Sequence, residues 1–406
     1  MQEHKITVIG DVMVEPSVLK QAEREDGRYD FYPALAGLKT YFDEADYGIA
    51  NLETVLAGEV AGYSQSLVSF NSPDTLADAI RAIGIDAVAT ANNHCMDRGA
   101  EGLLRTCRIL DEKQIAHTGT HTVGNSEKTL FFTVGDARIA LLSYTVSCNA
   151  DLNSDKDFSS AYEMINCLRP YTLGTTRLPE DPALAQTRRF VEDKLERKLS
   201  WEEVVMLRKA LGLPVAYADD LLDTAPLVPF LTDLRREYEN ARKKADIVLF
   251  MPHCGGQFNV EPGKLSQFYF RAAADIGFDA ILASHSHTTQ RAEQIGNTIL
   301  FNSLGNVTMS PNTEYSVRES LPEYGIAAHL YIKEKKIART SFSIFIMVEK
   351  PDEPLYAIPS DYYYYSLPEG TEKAKTLLDI AAVYERITRK PFSGVDREYA
   401  LFNSKS

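Results

Sequence analysis

Oxygen and imidazole ligands recur along this chain at places where an apolar run has just ended. Gly10-Asp11 follows Ile6–Ile9, Asn51-Leu52-Glu53 closes Gly48–Leu52, and Asn92-Asn93-His94 follows Ala87–Thr90. Pro252-His253 follows Asp246–Met251, and Ser284-His285-Ser286-His287 follows Ala280–Ala283. Carboxylate, amide oxygen and imidazole together suit borderline divalent cations such as manganese, zinc or iron, whereas thiolate-rich sets point to structural zinc or clusters. Each segment is weak alone: a Gly-Asp pair is ordinarily a turn, and His285-Ser-His287 can be two rings on one face of a strand end. Their common position after apolar runs gives them weight together. The remaining histidines, His4, His117, His121 and His329, fall in terminal, loop or strand contexts and read as structural or surface residues.

Such scattered ligands converge only if the runs before them are strands of one α/β architecture, because the carboxyl ends of those strands face the crevice where ligands bind. The pattern predicts strands at Ile6–Ile9, Gly48–Leu52, Ala87–Thr90, Thr129–Val134 and Ile139–Tyr144, with helices at Leu76–Ile83 and Glu101–Lys113. Val134-Gly-Asp-Ala137 reads as a hairpin turn, so an antiparallel pair enters a mixed sheet. From about 147 to 245 the character changes: Asp, Asn and Ser crowd the start, and charged helical stretches follow at Gln186–Arg197, Trp201–Leu211 and Ala225–Lys244. A mainly helical insertion is expected there. Strand signals resume at Asp246–Met251, Ala280–Ala283, Thr298–Asn302, His329–Ile332 and Ser341–Val348, with a helix at Leu265–Ile276. The expected organisation is one domain over 1–348 carrying the insertion, then an extension over 349–406 that packs on it. Pro351, Pro354, Pro359 and Pro368 punctuate that extension around Tyr362–Tyr365, before a helix at Thr371–Thr388. The tyrosine run reads as rings packed on the body with hydroxyls outward, or as a substrate surface.

Whole-chain properties narrow the function. The 406 residues are 44% hydrophobic and 25% charged, an ordinary globular composition. A formal charge of −14 repels phosphate backbones and anionic lipids, so no nucleic-acid partner is expected. Five irregularly spaced cysteines do not make a disulfide framework, which suits a reducing compartment. With no apolar signal core at the start and no stretch approaching a membrane span, a cytoplasmic, unanchored protein is expected.

The segments Gly10-Asp-Val-Met13, Asn51-Leu-Glu53, Asn92-Asn-His-Cys-Met-Asp-Arg-Gly99, His253-Cys-Gly255, His285-Ser-His-Thr-Thr-Gln290 and Ser303-Leu-Gly-Asn306, in that order, resemble the capsule-synthesis (poly-γ-glutamate, CapA-type) branch of the calcineurin-like metallophosphoesterases. The resemblance runs from about residue 5 to residue 310, outside the insertion. It implies a four-layer α/β/β/α sandwich with mixed sheets and a dinuclear site at one end. It further implies that Asp11 and His287 hold one divalent ion, that Asn93, His253 and His285 hold the other, that Glu53 bridges, and that His94 is the acid. Asp97 is expected to orient His94 or to cap the helix that follows, and Arg98 to bind an anionic substrate group or to be a solvated loop residue.

The chain departs from the common phosphoesterase pattern at Met13, where a histidine is usual, at Glu53 in place of aspartate, at Cys254 in place of tryptophan and at Ser284 in place of glycine. Cys95 and Cys254 each follow a site histidine and are expected to be small buried residues, with a redox switch as the alternative. The function expected first is a metal-dependent hydrolase acting on a phosphoester, or on an amide of a glutamate-rich polymer, with a small-molecule or polymeric anionic substrate. The alternative is a non-catalytic accessory protein of poly-γ-glutamate capsule biosynthesis. A nucleotidase-like enzyme, with Tyr362–Tyr365 as base clamp, ranks third.

Overall fold

A computed structural model describes residues 2–66, 68–122, 127–150, 161–170, 182–199, 201–211, 219, 223–313, 316–350 and 354–403. The polar start of the expected insertion at 151–160, and Pro351, lie outside the described residues. The described strands form two mixed sheets.

The first half of the chain supplies β1 (His4–Val12), β2 (Tyr47–Leu52), β3 (Ala87–Ala89), β4 (Ala116–Thr118), β5 (Thr129–Val134) and β6 (Ala137–Thr145). The second half supplies β7 (Ile247–His253), β8 (Ala280–Leu282), β9 (Ala292–Ile295), β10 (Thr298–Phe301), β11 (Tyr324–Lys333), β12 (Lys336–Val348), β13 (Tyr356–Pro359) and β14 (Tyr399–Asn403). One sheet has the order β13-β12-β11-β1-β2-β3-β4, with β14 also pairing β12; the other runs β5-β6-β7-β8-β10-β9. Strands β1 to β4 are mutually parallel, as are β6, β7, β8 and β10. The turn at Gly135-Asp136 joins β5 and β6 antiparallel, as the sequence predicts, and Gly135 takes φ 59° there.

Alternation within the strands sorts side chains between layers. Ile6, Val8 and Ile49 of the first sheet share one buried cluster with Ile139, Leu141, Ile247 and Leu249 of the second. The opposite faces are apolar too: Ile9, Ala50 and Val88 pack against Leu76, Ile80 and Leu110 of helices Thr75–Ala82 and Gly99–Glu112. On the second sheet, Leu142, Val248 and Phe250 pack against Leu234, Tyr269 and Phe270 of helices Val228–Arg242 and Lys264–Ile276. Strands covered on both faces read as near-continuous apolar runs rather than alternating ones, which is why β6 and β7 are so easily seen in sequence. The result is an α/β sandwich with helices outside both sheets. No helix among the described residues is long and apolar enough to cross a membrane.

The final segments are built into this body. β13 and β14 add antiparallel pairings to β12, and helix Thr371–Thr388 buries Ile380, Val383 and Ile387 in the layer between the sheets. Within Tyr362–Tyr365, part of helix Ser360–Ser366, Tyr363 is buried while Tyr362 and Tyr365 are exposed.

At one end the two sheets are stitched together. The chain leaving β10 crosses to β1, where Asp11 N–H donates to the Gly305 carbonyl at 3.1 Å and Val307 N–H donates to the Asp11 carbonyl at 2.9 Å. Gly10 permits this approach, since a Cβ there would fall 2.0 Å from the Gly305 oxygen.

Candidate metal centre

The stitched end gathers side chains from both sheets. Asp11 comes from β1, Glu53 follows β2 directly, and Asn93 sits in the turn after β3. From the other sheet, His253 is the last residue of β7, and His285 and His287 lie in the turn after β8. All are buried except His285, which is half-buried.

Their donor atoms converge. His253 Nε2 lies 2.6 Å from Asn93 Oδ1, 2.9 Å from His285 Nδ1 and 3.3 Å from Glu53 Oε1. Glu53 Oε1 is 3.7 Å from His287 Nε2, and Asp11 Oδ2 is 3.4 Å from His287 Nδ1. Two groups of side chains here could hold a metal ion, Glu53 with His253 and His285, and Asp11 with Glu53 and His287; Glu53 belongs to both.

Unmet bonding capacity tests whether these residues fit divalent ions. Among the described residues, both carboxylate oxygens of Glu53 and Nε2 of His287 are buried without a hydrogen-bond partner, the 3.3 Å approach of His253 to Glu53 being an ion-pair distance without hydrogen-bond geometry. A buried carboxylate left so is several kcal/mol unfavourable, on the order of 2–7 for a polar group and more for a charge. Ligands bound at about 2.1 Å to one cation stand roughly 3 Å apart, which is the spacing seen around His253 Nε2. The donor set fits.

The local field favours positive charge. Burial alone would raise the Asp11 carboxyl, but the His287 hydrogen bond, the charges of His253 and His287 and the Asn51 amide hold it well below the usual carboxylate range. Burial would lower His287, yet Glu53 and Asp11 bring it up to about 9. His285 is pushed down by burial and then by His253 and His287. The two acids thus favour the charged form of His287, while its cationic neighbours disfavour that of His285.

A further set of groups orients the ligands. Asn306 Oδ1 lies 2.8 Å from His287 Nδ1, and its Nδ2 donates to the His287 carbonyl at 2.9 Å, which turns the ring so that Nε2 faces inward. His253 Nδ1 meets Ser284 Oγ at 3.0 Å and Asn51 Nδ2 at 3.3 Å, while Asn51 Nδ2 donates to Asp11 Oδ1 at 2.7 Å. None of Asn51, Ser284 and Asn306 is assigned a role by sequence reasoning. The available signal is an amide or hydroxyl closing an apolar strand, where a buried polar side chain needs a partner.

His94 stands beside the cluster. Its Nδ1 lies 2.6 Å from Asp97 Oδ2, which also accepts the Phe70 N–H at 2.5 Å, and the Phe70 ring packs on the imidazole with centroids 4.2 Å apart. Burial would lower its pKa, but Asp97 and then Glu53 raise it. The helix after it starts at Gly99 with Arg98 at the cap position and no side-chain cap bond. Arg98 is turned to the preceding loop: it donates to the carbonyls of Ala61 and Gly62 at 2.9 Å and to Ser69 Oγ at 2.6 Å.

Met13 is buried in an apolar cluster with Phe70, Phe258, Met309 and Val317. Cys95 and Cys254 belong to different buried clusters, Cys254 facing Ser266 Oγ at 3.7 Å, and all five cysteines are free thiols. A surface cavity of about 860 Å³ between Glu23, Tyr29, Glu59 and Tyr63 shares no residue with the histidine cluster.

Residues 5–310 match the family model described as bacterial capsule synthesis protein PGA_cap. Among curated proteins, an uncharacterized protein, y4sH, of Sinorhizobium fredii is 24% identical over 325 residues, covering 74% of this chain and 65% of that one. The capsule biosynthesis protein CapA of Bacillus anthracis is 20% identical over 323 residues, covering 79% of this chain and 63% of the relative. The chain therefore spans about two thirds of the length of these relatives. A crystal structure of a hypothetical protein from Thermus thermophilus aligns over 86% of this chain and 100% of that one at 15% identity and a TM-score of 0.43, too loose a likeness to argue from.

Proposed function

This chain belongs to the bacterial capsule synthesis protein family, and from that premise we propose that its buried cluster binds two divalent metal ions and hydrolyses a phosphoester or an amide of a glutamate-rich polymer. The reading is carried by Glu53, a buried carboxylate that has no hydrogen-bond partner among the described residues and is common to both donor groups. In this reading Asp11 and His287 would hold one ion and Asn93, His253 and His285 the other, with Glu53 available to both. Manganese, zinc and iron all suit the mixed oxygen and imidazole donors.

Bound ions of this kind supply Lewis acidity and activation of water. The chain's own residues do the rest. Asn306, Ser284 and Asn51 fix the ring and carboxylate orientations. Asp97 holds His94 through Nδ1, which leaves Nε2 to carry a proton toward a leaving group. Phe70 covers the imidazole and keeps water from its face. Arg98 ties down the loop that carries Phe70.

A second reading, an accessory protein of capsule biosynthesis that keeps its metal for structure, is favoured by the name of the Bacillus anthracis relative. One experiment separates the two. Purified protein is loaded in turn with Mn²⁺, Zn²⁺ and Fe²⁺, its metal content is measured, and turnover of chromogenic phosphomonoesters, phosphodiesters and γ-glutamyl amides is compared with that of His94→Ala. Metal-dependent turnover that falls at least ~100-fold in the variant at equal metal content supports the hydrolase. Metal-loaded protein that turns over none of the substrates supports the accessory role, and failure to bind any of the three metals refutes both.

A further inference from the structure

The turn that presents His285 and His287 is held in an unfavourable backbone conformation. His285 has φ 100° and His287 has φ 54°, both in the region that side chains other than glycine rarely adopt. Such a conformation is destabilising and persists only where its surroundings fix it. The leading half of the turn is fixed from within the sandwich. His285 N–H donates to Asp11 Oδ2 at 3.1 Å, and Phe258 N–H donates to the Ser286 carbonyl at 2.6 Å.

The trailing half is fixed from elsewhere. Thr288, next in chain after His287 and fully buried, donates through Oγ1 to the Ser320 carbonyl at 2.6 Å. Arg386 of helix Thr371–Thr388 reaches the same place. Its Nη1 donates to Ser320 O at 2.7 Å and to Thr288 Oγ1 at 2.8 Å, with Thr289 O at 3.3 Å. Burial pulls the guanidinium down to about 10, so it remains charged at neutral pH and its hydrogen bonds are the charge-assisted kind. The helix cannot easily withdraw it, because Ile380, Val383 and Ile387 anchor the same helix in the inter-sheet core. This helix lies beyond residues 5–310, the part that matches the family model.

We propose that Arg386 is a positioning residue for the metal centre: the C-terminal helix pins the strained turn at Thr288–Thr289 and thereby aims His285 and His287. The inference rests on the metal-binding reading for its effect on affinity, but the pinning itself has a metal-free readout. Without Arg386 the turn relaxes toward ordinary φ values and the two imidazoles leave their donor geometry.

The test uses the full chain as parent, Arg386→Met, Arg386→Lys and, as control, Arg389→Met, which removes a neighbouring charge that pairs with Glu261 outside the turn. Hydrogen exchange of metal-free protein, followed by mass spectrometry over residues 284–290, reports the pinning. Mn²⁺ titration reports the consequence. Faster exchange in Arg386→Met than in Arg389→Met, with Mn²⁺ affinity about 10–100-fold weaker and partly recovered in Arg386→Lys, is the expected result. Equal exchange in the two Met variants overturns the proposal, as does weakened binding of the same size in both. If Arg386→Met fails to fold, Arg386→Lys against Arg389→Met carries the same comparison. A parent that binds no metal refutes the metal centre alone, and the exchange result still decides the role of Arg386.

Discussion

Replacing His329 probes how dry the first sheet is beneath its helices. The ring is fully buried on β11, with Nδ1 3.1 Å from Thr7 Oγ1 and Nε2 3.0 Å from Ser343 Oγ. Burial, aided by the charges of Lys5, Arg339 and Arg397 and opposed by Glu398, takes its pKa from an ordinary 6.5 down to about 3. A folded-state pKa below the unfolded one means that the unfolded chain binds the proton first. Stability is therefore whole above pH 6.5 and is lost as the pH falls toward 3. Each pH unit inside that window is worth up to ~1.4 kcal/mol, so moving from pH 7 to pH 4.5 removes about 2–3 kcal/mol through this one ring. His329→Gln keeps an amide that can bond both hydroxyls and does not titrate. Urea unfolding of both proteins at pH 7, 5.5 and 4.5 should find the variant about 1 kcal/mol less stable at pH 7 and, after a relative change of about 2–3 kcal/mol, about 1–2 kcal/mol more stable at pH 4.5. Glu398 does not interfere: burial would raise its carboxyl, but Ser341 and Tyr331 bond it and hold it at about 2, so its contribution is lost only below about pH 4.5. Parallel loss of stability in the two proteins between pH 7 and pH 4.5 would refute the burial argument.

Three further outcomes follow from the site and its frame. Asp97→Asn keeps an acceptor for Phe70 but weakens the hold on His94, so kcat should drop about 10²-fold with KM nearly unchanged in steady-state assays; an unchanged kcat in Mn²⁺-loaded variant would remove Asp97 from the mechanism. Asn306→Leu frees the His287 ring and should weaken Mn²⁺ binding about 10–100-fold by calorimetry, whereas full affinity would show that the ring needs no such support. Gly10→Ala forces a Cβ into the Gly305 carbonyl and should destabilise the fold by about 1–3 kcal/mol in urea, an effect absent if the crossing of the two segments relaxes freely.

Much of this arrangement is legible in the sequence, for a physical reason. Strands covered on both faces write long apolar runs, so β6 and β7 stand out, whereas only His329–Ile332 of β11 is read from sequence; a carboxylate or imidazole directly after such a run has few structural uses. Edge elements write no such signal: β4, β9, β13 and β14 are three to five residues long and owe their pairing to neighbours supplied by distant sequence. The orienting groups are hidden similarly. Asn306 lies 19 residues from the histidine it bonds, and Arg386 lies 98 from Thr288, so no local spacing links them. Arg98 illustrates the converse. A lone arginine beside a site histidine suggests an anion in sequence, while in the fold its N–H groups meet the carbonyls of a loop that sequence could not bring near.

Because three of the clustered donors ride on one sheet and three on the other, they behave like the jaws of a caliper closed across the sandwich. The filling between the layers, Val8, Ile49, Leu141 and Leu249 among it, helps to set the opening, together with the bonds that stitch the two sheets at Asp11. Sheets separated by interdigitated side chains settle closer when that filling is trimmed, by amounts that a cation's narrow tolerance in bond length would register. Under the proposed metal-binding reading, trimming one methyl group in the interlayer would shift which ionic radius the donors prefer.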